Sequence, residues 1–208
     1  MVQTIAATNI NLYDLKTKFG LQRVDDDQFF REWMDDLPEL TDLEKQQLDR
    51  VKASYFNLAE RPMLETTIKM VVLSPLLDMA NFYLSPFSIT AEEEVQISAE
   101  DDGTIVRGRI DVLVIQNQLW ILVIESKRAS FSLEEVIPQA LAYMLANPNV
   151  NQPTFGMVTN GSHFIFIKLT KQNIPKYALS YEFSFRRPGN ELYSVLSILK
   201  RIGQLLGT

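Results

Sequence analysis

Asp111, Glu125 and Lys127 are the residues whose types and spacing best suit chemistry. If Leu119-Trp120-Ile121-Leu122-Val123-Ile124-Glu125-Ser126-Lys127 is extended, side chains alternate, so 119, 121 and 123 share a face with 125 and 127. An apolar face then ends in a carboxylate and an amine. Arg109-Ile110-Asp111-Val112-Leu113-Val114-Ile115 likewise sets Asp111 among apolar neighbours. Buried charge left alone is costly, so these groups must be paired, neutralised or bound to metal. A buried Asp–Lys or Glu–Lys pair would satisfy them with no activity at all. Two convergent carboxylates would instead form a hard oxygen site for Mg2+. The adjacent Lys would orient or help deprotonate a water, or stabilise charge on a scissile phosphate.

These residues need a sheet to hold them. Residues 88–98, 107–115 and 119–126 read as strands of period near two, and Gln116-Asn117-Gln118 joins the last two as an antiparallel hairpin. A second hairpin is expected from 154–159 and 163–169 through Asn160-Gly161. Between the hairpins a helix is expected from Leu133 to Ala146, with Pro138 straining or restarting its first turns. Thr41-Asp42-Leu43-Glu44 is a capping box, and Leu48, Val51, Tyr55 and Leu58 form one stripe behind it. A further helix is expected from Pro62, carrying Glu65, Ile68, Met70 and Val72, broken or restarted at Ser74-Pro75. Before residue 41 the chain reads as helical and loosely specified, and Leu192–Leu206 closes it as a helix.

Composition narrows the function classes. An apolar fraction of 46% and a charged fraction of 22% belong to an ordinary globular chain. Cysteine is absent, which excludes disulfides, thiolate nucleophiles and cysteine-based zinc sites and suits a reducing cytoplasm. The lone histidine, His163, rules out motifs that need two and is expected to be structural. No run is long and apolar enough for a membrane span, so no membrane is expected as a partner. The net charge of −6 divides unevenly: residues 1–100 carry 9 basic and 18 acidic side chains, whereas residues 101–208 carry 11 and 8. Any polyanion site is therefore expected in the second half.

Ile110-Asp111, followed after thirteen residues by Glu125-Ser126-Lys127, resembles the D…ExK signature of the PD-(D/E)xK nuclease superfamily. Gln139-Ala140-Leu141-Ala142-Tyr143 is similar to the QxxxY helix motif of several of its families, notably the N-terminal nuclease domain of type I restriction enzyme R subunits. Gly108-Arg109-Ile110-Asp111-Val112-Leu113 and Ile124-Glu125-Ser126-Lys127-Arg128 also resemble that family. Ile110 stands where a proline often precedes the aspartate.

The resemblance spans about residues 62–170. It implies an α/β, restriction-endonuclease-like fold: a central mixed sheet of about five strands flanked by helices, with extra N-terminal helices. One domain is expected over 1–208, made of a helical extension (1–61), a nuclease core (62–170) and a C-terminal extension ending in a helix (171–208). It also implies a DNA endonuclease using Mg2+ or Mn2+, with Asp111, Glu125 and Glu65 as metal ligands and Lys127 as the catalytic amine. Gln139 and Tyr143, four apart on a helix, would be auxiliaries that reach phosphate or the metal-site residues. Arg107 and Arg109, which share the parity of Asp111, and Arg128 are candidates for DNA phosphates.

The sequence holds no GxxxxGK[ST] loop, so an ATP-driven motor is expected to be absent or to sit on another chain. The expected partners are DNA together with a separate motor or specificity subunit or a second copy. The alternative is a nuclease fold without turnover that serves as a binding or assembly module of a restriction or repair complex. RNA as substrate is not separated from DNA by these residues.

Overall fold

The computed structural model describes residues 3–98, 104–116, 119–127, 130 and 132–205. The N-terminal stretch departs most from expectation, because it is not simply helical. Gln3–Ala6 forms a strand (β1), Leu12–Phe19 a helix (α1) and Gln22–Arg23 a two-residue strand (β2). Asn11 Oδ1 caps α1 at the Asp14 N–H, and Gly20 closes it in the left-handed region at φ 66°. Asp42–Leu58 (α2) starts at the expected capping box, with Thr41 and Glu44 each satisfying the other's backbone N–H. Leu48, Val51 and Tyr55 are buried as the stripe requires, whereas Leu58 at the end of the helix is 39% exposed.

The next helix begins at Glu65 rather than Pro62. Glu65–Ile68 (α3) passes into a π-helical turn, Lys69–Leu73, and then into Ser74–Met79 (α4). The Ser74 N–H bonds the Lys69 carbonyl five residues back. This wider turn accommodates Pro75, which has no N–H and whose ring crowds a regular helical turn. The wide turn ends at Leu73 and the regular α-helix restarts at Ser74, with Pro75 in its first turn.

Three long strands follow: Phe87–Ser98 (β3), Thr104–Gln116 (β4) and Leu119–Ser126 (β5). β3 is antiparallel to β4 from Phe87↔Gln116 to Ser98↔Ile105, and β5 is antiparallel to β4 over Val112–Gln116, the expected hairpin. A 3-10 turn, Leu133–Glu135, precedes Ile137–Leu145 (α5), which starts with Pro138 in its first turn, where a missing N–H does no harm. This crossover lets Thr154–Thr159 (β6) lie parallel to β5. His163–Thr170 (β7) returns antiparallel to β6 through Asn160-Gly161-Ser162, with Gly161 at φ 87°. Lys176–Leu179 (β8), Phe183–Ser184 (β9) and Leu192–Leu205 (α6) complete the described elements.

The strands make one mixed sheet in the order β1-β4-β5-β6-β7-β8-β2, with β3 along β4 and β9 along β7. Among the described residues its nine strands exceed the five expected, because β1, β2, β8 and β9 have only two to four residues each, too few to show a period. Alternate residues feed two cores. Val112, Val114, Ile124, Phe155, Met157, Phe164 and Phe166 pack with α2, α4 and α6. Leu113, Val158, Ile165, Ile167 and Leu169 pack on the other face with α1 and α5. The result is an α/β protein with a mixed sheet flanked by helices on both faces.

Candidate active site

β4 is bordered on one side by β3 along nearly its whole length. On its other side β1 covers Thr104–Arg107 and β5 covers Val112–Gln116. Gly108–Asp111 lie between these two pairings, where side chains replace a neighbouring strand. The Arg109 N–H donates to Tyr143 Oη at 3.3 Å, and Asp111 Oδ2 accepts from the Ser126 N–H at 2.7 Å. Gly108 leaves the room this needs, since a Cβ there would lie 2.6 Å from Tyr143 Oη and 2.7 Å from the Ala7 Cβ.

Into this gap β5 delivers Glu125. Ile124 belongs to the core on the far face, so Glu125 turns toward α5. Its side chain is only 1% exposed. Oε1 accepts from Lys127 Nζ at 2.6 Å and from Gln139 Nε2 at 2.6 Å, and Gln139 Nε2 also reaches Tyr143 Oη at 2.8 Å. Oε2 is buried with no partner among the described atoms. Burial first, and then the negative charge of Asp111, push the Glu125 carboxyl up to about 8, against the pull of Lys127. Burial and the nearby Glu125 charge push the Tyr143 phenol up to about 12. For Lys127 burial opposes the charge, but Glu125, Asp111 and Glu65 together outweigh it and raise the amine. The Lys127 N–H bonds the Thr159 carbonyl, so β6 fixes the backbone that carries this amine.

From the other layer comes Lys69, whose Nζ lies 2.8 Å from Asp111 Oδ1, 3.0 Å from Glu65 Oε1 and 3.7 Å from Glu92 Oε1. Burial disfavours its charge, yet the hydrogen bonds it donates to Asp111 and Glu65 more than restore it and the amine is raised. Glu65 and Lys69 are four apart, so one helix face presents both. Glu92 stands opposite Asp111 in register, flanked by Ala91↔Val112 and Glu93↔Ile110, and holds φ at 58° within an extended strand. A non-glycine residue there is strained.

The same irregularity disturbs the alternation of the ribbon. Phe87 and Ile89 pack on the first core, whereas Val95 and Ile97, of equal parity, pack on the second. Parity with Asp111 consequently does not bring Arg107 and Arg109 beside it. Both are exposed: Arg107 donates to Gln96 Oε1, and Arg109 pairs with Glu94 and, at 3.7 Å, with Glu92. Arg128 lies outside the described residues.

The structure thus gathers Asp111, Glu125, Lys127, Glu65, Gln139 and Tyr143 around one break in the sheet. It sets Arg107 and Arg109 on the outer ribbon. Gln139 and Tyr143 do face the same way, but they are buried against Glu125. Sequence reasoning missed Lys69 and Glu92. The i,i+4 spacing of Glu65 and Lys69 was a usable signal, whereas the backbone of Glu92 left none. Among the described residues no group of three or more His, Cys, Asp or Glu side chains is arranged to hold a metal ion. Lys69 occupies the point where three of the acids meet. His163 takes part in turn structure, its Nδ1 lying 2.9 Å from Ser162 Oγ and 3.3 Å from Asn160 Oδ1.

A model of the family described as the type I restriction enzyme R protein N terminus matches residues 6–173, reaching well into the stretch expected to be an extension. No curated protein matches the chain.

Proposed function

This chain belongs to the family of type I restriction enzyme R protein N termini, and on that premise we propose that it is a divalent-metal-dependent DNA endonuclease. The observation that carries this reading is Glu125. A carboxylate with one oxygen bonded twice and the other buried and unpartnered, crowded by Asp111, lacks a positive charge at that second oxygen. The donors fit Mg2+ or Mn2+: all are carboxylate oxygens, as hard cations prefer. Asp111, Glu125 and Glu65 would hold the ion, which would supply Lewis acidity toward a phosphodiester and its attacking water.

The chain's own groups do the rest. Gln139 and Lys127 fix Oε1 of Glu125, leaving Oε2 as the unpartnered donor. The Ser126 N–H holds Asp111 in place through its other oxygen. Lys127, kept protonated by its acidic neighbours, stabilises negative charge gathering on the phosphate or orients the incoming water. Tyr143 positions Gln139. Arg107, Arg109 and Arg128 are the candidates for phosphate contact. The rest of the reading is a cytoplasmic protein that meets DNA with a separate motor or specificity subunit or a second copy. Among the described residues no helix is long and apolar enough to cross a membrane.

The direct test is cleavage of duplex DNA by the purified chain, alone and with candidate subunits, in Mg2+ or Mn2+. Asp111→Ala and Glu125→Ala are each expected to lower the rate by about 10²-fold or more while the circular dichroism spectrum is retained. Unchanged cleavage in both variants would remove these residues from the active site. The alternative, a binding or assembly module without turnover, is favoured by the seating of Lys69 on Asp111 and Glu65. Metal binding with no cut product from DNA would support it, and cleavage of RNA alone would change the substrate.

A further inference from the structure

We propose that the Lys69 ammonium is a tethered counter-ion filling the cation position of this site, and that divalent-ion loading is an exchange in which Lys69 leaves. This rests on the metal-dependent reading above and adds to it a competitor carried by the protein itself.

Three acids from three elements converge on one nitrogen: Asp111 from β4 at 2.8 Å, Glu65 from α3 at 3.0 Å and Glu92 from β3 at 3.7 Å. Independently, Glu125 lies alongside with a buried oxygen that Lys69 does not satisfy. Lys127 meets Glu125 at 2.6 Å and Arg109 stands 3.7 Å from Glu92, yet Asp111, Glu65, Glu92 and Glu125 still outnumber these two cations and Lys69. A divalent ion would carry twice the charge, but it would need the oxygens Lys69 now occupies. Two cations at that separation repel, so one excludes the other.

The surroundings allow departure. The Lys69 side chain is 23% exposed, and its four-carbon stem is flexible. It projects from the first residue of the π turn, which widens the helix where the side chain leaves it. Glu92 is 56% exposed and held in the left-handed region, so it can follow the ammonium outward without unpacking a core. Affinity for the ion is then the intrinsic affinity reduced by the cost of displacing Lys69, and the metal-free fold is stabilised by the same contact.

Isothermal titration of the full chain with Mn2+ tests this, using the parent, Lys69→Gln, Lys69→Arg and Asp111→Asn. Lys69→Gln keeps a polar side chain only one atom shorter and removes the competing charge, so Mn2+ should bind about tenfold tighter or better, and the melting temperature in chelator should fall. Lys69→Arg should stay near the parent. Equal or weaker binding by Lys69→Gln, with binding still abolished by Asp111→Asn, overturns the exchange and leaves the metal site standing. No Mn2+ binding by any of the four proteins overturns both. If Lys69→Gln fails to fold, acylation of Lys69 in the unaltered protein, read by mass spectrometry, decides the matter. Exchange predicts several-fold faster labelling when Mn2+ is saturating, and unchanged or slower labelling overturns it.

Discussion

Glu125 sets the pH response of the metal-free protein. A glutamate in an unfolded chain titrates near 4.3, whereas burial and Asp111 push it up to about 8 in the fold. Between those values the unfolded chain gives up a proton that the folded chain keeps. The fold is therefore favoured fully below the lower value and loses that contribution as pH rises through the upper one. Glu125→Gln cannot titrate and preserves the acceptor for Lys127 and Gln139. In chelator its melting temperature should lie nearest the parent's near pH 4 and exceed it by several degrees or more above about pH 8, at about 2–4 °C per kcal/mol for a chain of this size. A difference independent of pH would show that the carboxyl is not raised. At this scale the sequence was most legible where charge ends an apolar strand, as at Asp111, Glu125 and Lys127. It was silent where the backbone is irregular. Glu92 belongs to an ordinary acidic run, Glu92-Glu93-Glu94, and nothing in that run announces a left-handed residue.

Among elements, the contact of β4 with α5 is the most exacting. Tyr143 Oη serves the Arg109 N–H only because Gly108 has no side chain, and Ala7 closes the same space from the end of β1. Gly108→Ala should lower stability by about 1–3 kcal/mol, the usual range for overpacking a tight site. It should also impair cleavage, because Tyr143 can no longer hold Gln139 against Glu125. Urea denaturation and the cleavage assay would check both, and a midpoint equal to the parent's would show that the helix shifts freely. The hairpin turn at Asn160-Gly161 and the capping box at Thr41 were readable because each rests on local chemistry confined to a few residues. Strands β1, β2, β8 and β9 were not, since a strand of two to four residues exists only through the partner that hydrogen-bonds it.

For the whole molecule, charge limits affinity. Residues 101–208 carry 11 basic and 8 acidic side chains against 9 and 18 in residues 1–100, and Arg109 is already engaged by Glu92 and Glu94. Few phosphates can be neutralised, so DNA binding by the isolated chain should be weak and depend only shallowly on salt, each phosphate contact contributing about one unit of slope. Fluorescence anisotropy across a salt series measures this. Nanomolar affinity for duplex DNA at physiological salt, by a proven monomer, would make a partner unnecessary. The pairing of Gln3–Ala6 with Thr104–Arg107 has a further consequence, in time rather than in space. During synthesis the first strand must wait, unpaired, until about a hundred further residues have emerged, and closing so large a loop is entropically slow. The β4–β5 and β6–β7 hairpins emerge later still, but each joins strands adjacent in sequence and zips up quickly once both strands are out. The wall of the gap formed by Ala7 against Gly108 therefore waits on the closure of a loop of about a hundred residues, whereas the hairpins beside it close locally.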